Sequence, residues 1–157
     1  KRIYLKTASL FTTSGESGAI LSGASDSTVK AIKNYSQNIG LAFQIIDDLL
    51  DLEGEEKKLG KPVGNDLLNG IITLPIIYAS EDPKYKEDLL QFIKTPSDKI
   101  LHENLIKNIN KSNAIERTHQ YATQLINAAK DCLTGLENNR SKESLDYLAQ
   151  FIIKRIS

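Results

Sequence analysis

Cysteine is almost missing from this chain: Cys132 stands alone, so no internal disulfide can form, and the protein is expected in a reducing, cytoplasmic setting. Surplus charge is missing too. Twenty lysines and arginines balance twenty aspartates and glutamates, which leaves no global field to draw nucleic acid or an anionic membrane, so any phosphate recognition must be local. Long apolar runs are also absent. The longest, Ile71 to Ala79, contains Pro75 and is far shorter than the roughly 20 residues a membrane span needs, which predicts a soluble protein without a membrane span. Methionine does not occur at all, and position 1 already lies inside a helical pattern, which raises the expectation that the sequence is a piece of a longer chain. No phosphate-binding glycine loop, dinucleotide fingerprint, nucleophile elbow or zinc spacing is present.

What the sequence does contain is helical periodicity. With 157 residues and 40% hydrophobic content, one globular core is expected. Residues 3 to 22 repeat at helical spacing, with small residues from Ser14 to Gly18 that suggest close packing and an interruption near Gly15. Gly23 closes this segment. Ser25 or Asp26 can cap a second helix running to about Glu53, with Ile32, Ile39, Phe43, Ile46 and Leu50 inward. Gly54 to Gly70, with four glycines and Pro62, is expected to be a long loop over a site.

Further helices are expected from Thr73 and Pro75 to Ala79, from Pro83 to Ile93, and over Ile100 to Ile109, the last capped from Thr95-Pro96-Ser97. Ile115 to Leu136 gives the clearest long pattern. After a break over Gly135 to Ser141, Leu145, Leu148, Ile152 and Ile156 mark the final helix. No strand signal competes, so the fold class is all-α, an antiparallel helical bundle. His102 and His119 lack a ligand partner at helical spacing and read as ordinary polar residues. Cys132 falls on an apolar stripe and reads as a small core residue.

One stretch stands out, Phe43-Gln44-Ile45-Ile46-Asp47-Asp48-Leu49-Leu50-Asp51-Leu52. At about 100° per residue, Gln44, Asp47, Asp48 and Asp51 share an arc of roughly 100°, while the apolar residues hold the opposite face. The acids lie in the last turns of the helix, where the macrodipole disfavours negative charge, and they repel one another at helical spacing. A cation would relieve both penalties. The donors are all oxygen, which suits Mg²⁺, and Mg²⁺ prefers one or two carboxylates together with substrate phosphates. Lys61, in the glycine-rich loop, and Lys6, near the first helix, are the candidate basic partners for a diphosphate.

Three blocks in order resemble a known family. Gly40 to Asp51 is similar to the second aspartate-rich motif of the trans-isoprenyl diphosphate synthases. It is preceded by Tyr4-Leu5-Lys6-Thr7-Ala8-Ser9-Leu10-Phe11, which resembles their lysine-threonine helix. It is followed by Leu59-Gly60-Lys61-Pro62-Val63-Gly64-Asn65-Asp66-Leu67 and Ile72-Thr73-Leu74-Pro75. The Leu67-Leu68-Asn69-Gly70 sequence resembles medium- and long-chain polyprenyl synthases, including the catalytic subunit of two-component heptaprenyl diphosphate synthases.

The resemblance implies the isoprenoid synthase fold and a Mg²⁺-dependent prenyltransferase that condenses isopentenyl diphosphate with an allylic diphosphate. It implies that Asp47, Asp48 and Asp51 hold the metal, that Lys6 and Lys61 clamp the allylic diphosphate, that Thr7 and Gln44 line the position of the allylic cation, and that Phe43 faces the reacting chain. It further implies that residues 1–157 are the C-terminal portion of a single domain. The first aspartate-rich motif and the residues holding isopentenyl diphosphate would then lie in a missing N-terminal half, and the isolated chain would be inactive. A homodimer or a heterodimer is expected, and a non-catalytic helical partner of a heteromeric synthase is the alternative. A terpene cyclase shares the metal logic, but its second metal motif normally mixes asparagine, serine or threonine with the acids. Ile71 stands where many relatives carry a lysine, which weakens the basic side of the site or marks a subfamily.

Overall fold

The computed structural model describes residues 1–54, 62–96 and 98–156, and its regular structure is helical with no strand among the described residues. A π turn, Tyr4–Ala8, leads into α1 (Ser9–Leu21), followed by α2 (Asp26–Glu53), α3 (Asn65–Leu68), α4 (Leu74–Ser80), α5 (Pro83–Lys94), α6 (Lys99–Asn110), α7 (Asn113–Cys132) and α8 (Arg140–Ile153), with a 3₁₀ turn at Lys154–Ile156. Among the described residues, no helix is long and apolar enough to cross a membrane. Two compact units form, residues 1–46 with 121–157 and residues 47–120.

In the first unit, α1 runs unbroken through Gly15, so the expected interruption does not occur there. The small residue serves packing instead. A Cβ at Gly15 would lie 2.0 Å from the Ser36 hydroxyl oxygen and 3.2 Å from Ile32, so only glycine lets α1 approach α2 this closely. The irregularity lies one step earlier, in the π turn. Gly23 ends α1 at φ +72°, and the Ala24 amide donates to the Ala19 carbonyl five residues back, closing the helix end. Ser25 then accepts the Thr28 amide at 3.3 Å and caps α2.

Tyr35, Ile39, Ala42, Ile45 and Ile46 are buried along this part of α2, whereas Ile32 and Phe43 are only half-buried. The inward face is therefore wider than the single stripe expected from spacing. The Tyr35 hydroxyl donates to the Leu145 carbonyl at 2.7 Å, tying α2 to α8 across most of the sequence. The C-terminal boundaries also shift. Regular α7 ends at Cys132, four residues before the expected Leu136, and α8 begins at Arg140 because Asn139 accepts the Lys142 amide and starts the helix before the apolar pattern is visible. Cys132 is half-buried rather than part of the core, and its thiol donates to the Ala128 carbonyl at 3.1 Å. Burial, and secondarily Asp131, pushes this thiol's pKa up, the direction of an inert cysteine.

In the second unit, side-chain caps and prolines set the helix starts. Pro75 opens α4, Asp82 accepts the Lys84 amide ahead of α5, and Asp98 accepts the Leu101 amide ahead of α6. The cap expected around Ser97 thus falls on Asp98, and Ser97 itself lies outside the described residues. Helices α4, α5 and α6 pack on one another around Ile76, Leu89, Phe92, Leu105 and Ile109. The loop expected over 54 to 70 contains the short helix α3, entered through Gly64 at φ +71°. A run of four residues is too short for helical periodicity to reveal. His102 is a core residue here, 6% exposed, with its ring 5.5 Å from that of Phe92.

Candidate functional site

Lys6 and Thr7 sit side by side in the π turn. Lys6 is exposed, whereas Thr7 turns inward and its hydroxyl donates to Gln44 Oε1 at 2.6 Å. Two small residues permit this contact. A Cβ at Gly40 would lie 2.7 Å from the Ala8 Cα, closer than any side chain can come to another backbone, so Gly40 on α2 lets the segment bearing Thr7 lie directly against the helix bearing Gln44. π turns are frequent at functional sites because they re-aim the side chains they carry.

Phe43, beside Gln44, tilts at 36° to Phe11 with ring centroids 5.8 Å apart. The Arg155 guanidinium lies 4.8 Å from the ring centroid, which places a cation from the 3₁₀ turn over this aromatic face. The aromatic of the motif is therefore clamped rather than loose.

In the second unit the acidic run is more enclosed than its pattern suggests. Asp47 is half-buried, and Asp48 and Asp51 are each only 3% exposed. Burying carboxylates in the final turns of a helix is costly by desolvation and by the macrodipole together. Asp51 meets part of that cost through local donors. Its Oδ2 accepts the Asp66 amide at 3.0 Å, and its carbonyl accepts the Gly64 amide at 2.7 Å. The next carbonyl, that of Leu52, accepts Asn110 Nδ2 at 2.6 Å, and Glu53 Oε2 lies 2.9 Å from His119 Nε2. The end of α2 is thus fastened by α3, α6 and α7 residues, which satisfies carbonyls that a helix end otherwise leaves open.

Asp47, Asp48 and Asp51 offer only oxygen donors, the set that a hard cation takes. Among the described residues, no group of three or more acidic, histidine or cysteine side chains is gathered to hold a metal by itself. Lys61 lies outside the described residues.

Several contributors escape a reading by spacing. Gly64 and Asp66 brace Asp51 through backbone amides, which no side-chain pattern encodes, though the positive φ at Gly64 is the kind of turn a glycine next to asparagine announces. Nothing in the spacing around Asn110 or Arg155 points to the contacts they make with Leu52 and Phe43.

A polyprenyl synthetase family model matches residues 1–112. The chain belongs to the polyprenyl synthetase family. Among curated relatives, the chain is 39% identical over 155 residues to heptaprenyl diphosphate synthase component 2 of Bacillus subtilis, covering 99% of the chain and 44% of that protein. Among solved structures, the heptaprenyl diphosphate synthase of Staphylococcus aureus superposes with a TM-score of 0.94 at 38% identity, over 99% of this chain and 49% of that one. A polyprenyl synthase of Caulobacter crescentus, solved with calcium and isoprenyl diphosphate, gives 0.87 at 32% identity, over 99% and 48%. The chain therefore spans about half the length of the relatives it matches, and the all-helical polyprenyl synthase fold extends over nearly all of it.

Proposed function

We propose that this chain supplies the second acidic half of the diphosphate site of a Mg²⁺-dependent trans-prenyltransferase, which elongates an allylic diphosphate with isopentenyl diphosphate. The observation that carries this reading is the placement of three carboxylates, Asp47, Asp48 and Asp51, in the last turns of α2, an all-oxygen set of the kind that a hard cation takes. Family membership and the calcium and isoprenyl diphosphate named for the Caulobacter relative support it.

In this reading Asp47, Asp48 and Asp51 hold Mg²⁺, which supplies positive charge where the diphosphate leaving group becomes more negative. Lys6 and Lys61 donate to oxygens of the same diphosphate. Thr7 gives its proton to Gln44, so the lone pairs of its hydroxyl oxygen remain directed elsewhere and favour an allylic carbon that turns cationic. Phe43 faces the reacting chain, its ring held between Phe11 and Arg155. As the carbon–oxygen bond to diphosphate breaks, the isopentenyl double bond forms the new carbon–carbon bond, and a proton passes to the released diphosphate.

The partner acidic motif and the isopentenyl diphosphate subsite are proposed to come from sequence corresponding to the part of the relatives' length that this chain does not cover. Leu5, Leu10, Ile20 and Leu21, all strongly exposed on the π turn and α1, are an apolar surface of the kind that further helices cover. Assembly as a dimer, with a like or an unlike chain, is part of the proposal, since the Bacillus relative is named as one component of a synthase. A cytoplasmic location is proposed from the single cysteine, which suits a reducing compartment.

The test is condensation of labelled isopentenyl diphosphate with allylic diphosphates by the complete protein. Asp47→Ala is expected to lower kcat by about 100-fold or more, and Mg²⁺ plus a bisphosphonate is expected to raise the melting temperature of the parent protein. Unchanged turnover in the Asp47→Ala protein would overturn the reading.

A further inference from the structure

On the side of Gly64 that faces α6, the second unit contains a cavity of about 660 Å³ lined by Pro62, Val63 and Leu68 on one wall and by α6 on the other. This volume falls within the roughly 300–1,000 Å³ range of small-molecule sites. Helical spacing sorts its α6 wall into two rows. His102, Ile106 and Asn110 form the inner row, and Lys99, Glu103, Lys107 and Lys111 form the outer row. The floor is mainly apolar, and among the described residues the rim carries three ammonium groups against one carboxylate. Such a site is complementary to a molecule with one apolar chain and one anionic head, and to neither a neutral polar ligand nor a cation.

The same walls are bonded to the acidic end of α2. His102 Nε2 lies 3.2 Å from the Gly64 carbonyl, and the Gly64 amide donates to the Asp51 carbonyl. Asn110, an inner-row residue, donates to the carbonyl of Leu52. Gly64 has no slack, since a Cβ there would lie 2.5 Å from Ile106 Cδ1 and 3.0 Å from His102 Nε2. A ligand that pushes on Ile106 or His102 therefore presses on the backbone that positions Asp51.

We propose that this cavity is a binding site for an anionic amphiphile, separate from the acidic site, and that its occupancy alters cation binding at Asp51. The second half of the proposal rests on the function proposed above, and the first half does not. The ligand chemistry is an alkyl or prenyl chain ending in a carboxylate or a phosphate.

Calorimetric titration of the complete protein with decyl phosphate, decanoate and decanol tests it. Saturable binding of one or both anions is expected, their ranking distinguishing a phosphorylated chain from a fatty carboxylate, with decanol at least about tenfold weaker. The double variant Lys107→Glu, Lys111→Glu should weaken the anion roughly tenfold, while Lys86→Glu, an exposed lysine on α5 outside the cavity, should leave it unchanged. No anion binding, equal binding of decanol, or an equal effect of the two charge changes would overturn the site. For the coupling, the Mg²⁺ plus bisphosphonate melting shift is recorded with and without saturating anion. A shift that responds to the anion in the parent protein and not in the double variant supports the coupling, and an unaltered shift overturns it. If Mg²⁺ and bisphosphonate give no shift at all, the proposed function fails while anion binding still decides the site.

Discussion

The Thr7 hydroxyl donates to Gln44 Oε1 across 2.6 Å, joining the π turn to α2 within the first unit. Thr7→Val keeps the shape of the side chain and removes the donor, leaving a largely buried amide oxygen short of this bond. Chemical denaturation should show a loss of about 1–2 kcal/mol. A double-mutant cycle with Gln44→Ala should return a coupling energy of roughly 0.5–1.5 kcal/mol, and a coupling near zero would mean that the pair is not formed in solution.

Gly40 and Gly18 should respond oppositely to the same methyl group. Gly40→Ala forces a Cβ to within 2.7 Å of the Ala8 backbone, which has nowhere to fold away, and should cost about 1–3 kcal/mol. Gly18→Ala, on the open face of α1 with nothing within 4 Å, should stabilise by up to about 1 kcal/mol through helix propensity. Melting temperatures of the two variants moving in the same direction would contradict the packing described.

Tyr35 makes alkaline stability predictable. Burial, and after it the Asp146 carboxylate, pushes this phenol up to about 12 from its ordinary 10.0. The folded state therefore holds the proton more tightly than the unfolded chain, so the stabilisation is fully present below pH 10 and drains away as the pH rises towards 12. Tyr35→Phe should lose about 1 kcal/mol at neutral pH with the Leu145 hydrogen bond, and its stability should fall less steeply over that alkaline interval. Unfolding curves measured at a series of pH values decide this.

Gly64→Ala tests the brace on Asp51. The positive φ strains any L residue, and the added Cβ meets Ile106 and His102, so a loss of about 1–3 kcal/mol is expected. In the complete protein the Mg²⁺ plus bisphosphonate melting shift should shrink as well, because the Gly64 amide contacts the Asp51 carbonyl directly.

The helices and most of their ends were legible because caps, prolines and apolar spacing act locally, as Ser25, Asp82 and Pro75 illustrate. Close approaches were harder to read. Gly15 looked like a break and proved to be a packing position against Ser36, a distinction that depends on a neighbour far away in sequence. The acidic face of α2 was visible as a pattern, but the burial of Asp48 and Asp51 was not, and neither were the bonds from Asp66 to Asp51 and from Asn110 to the Leu52 carbonyl, because periodicity on α2 does not reveal partners on other segments. Thr7 and Gln44 were both singled out by motif, and their hydrogen bond adds a physical link between the two blocks.

The π turn at Tyr4–Ala8 accommodates one residue more per turn than the α-helix it feeds. Deleting a single residue there offers the chain a regular helix instead, at little cost to helical content, yet it would rotate everything upstream by about 100° relative to α1. Lys6 and Thr7 would exchange facing directions with their neighbours although no chemical group had been altered. This short stretch is therefore sensitive to changes in length as well as to changes at Lys6, Thr7 and Ala8, so insertions and deletions are the informative perturbation here.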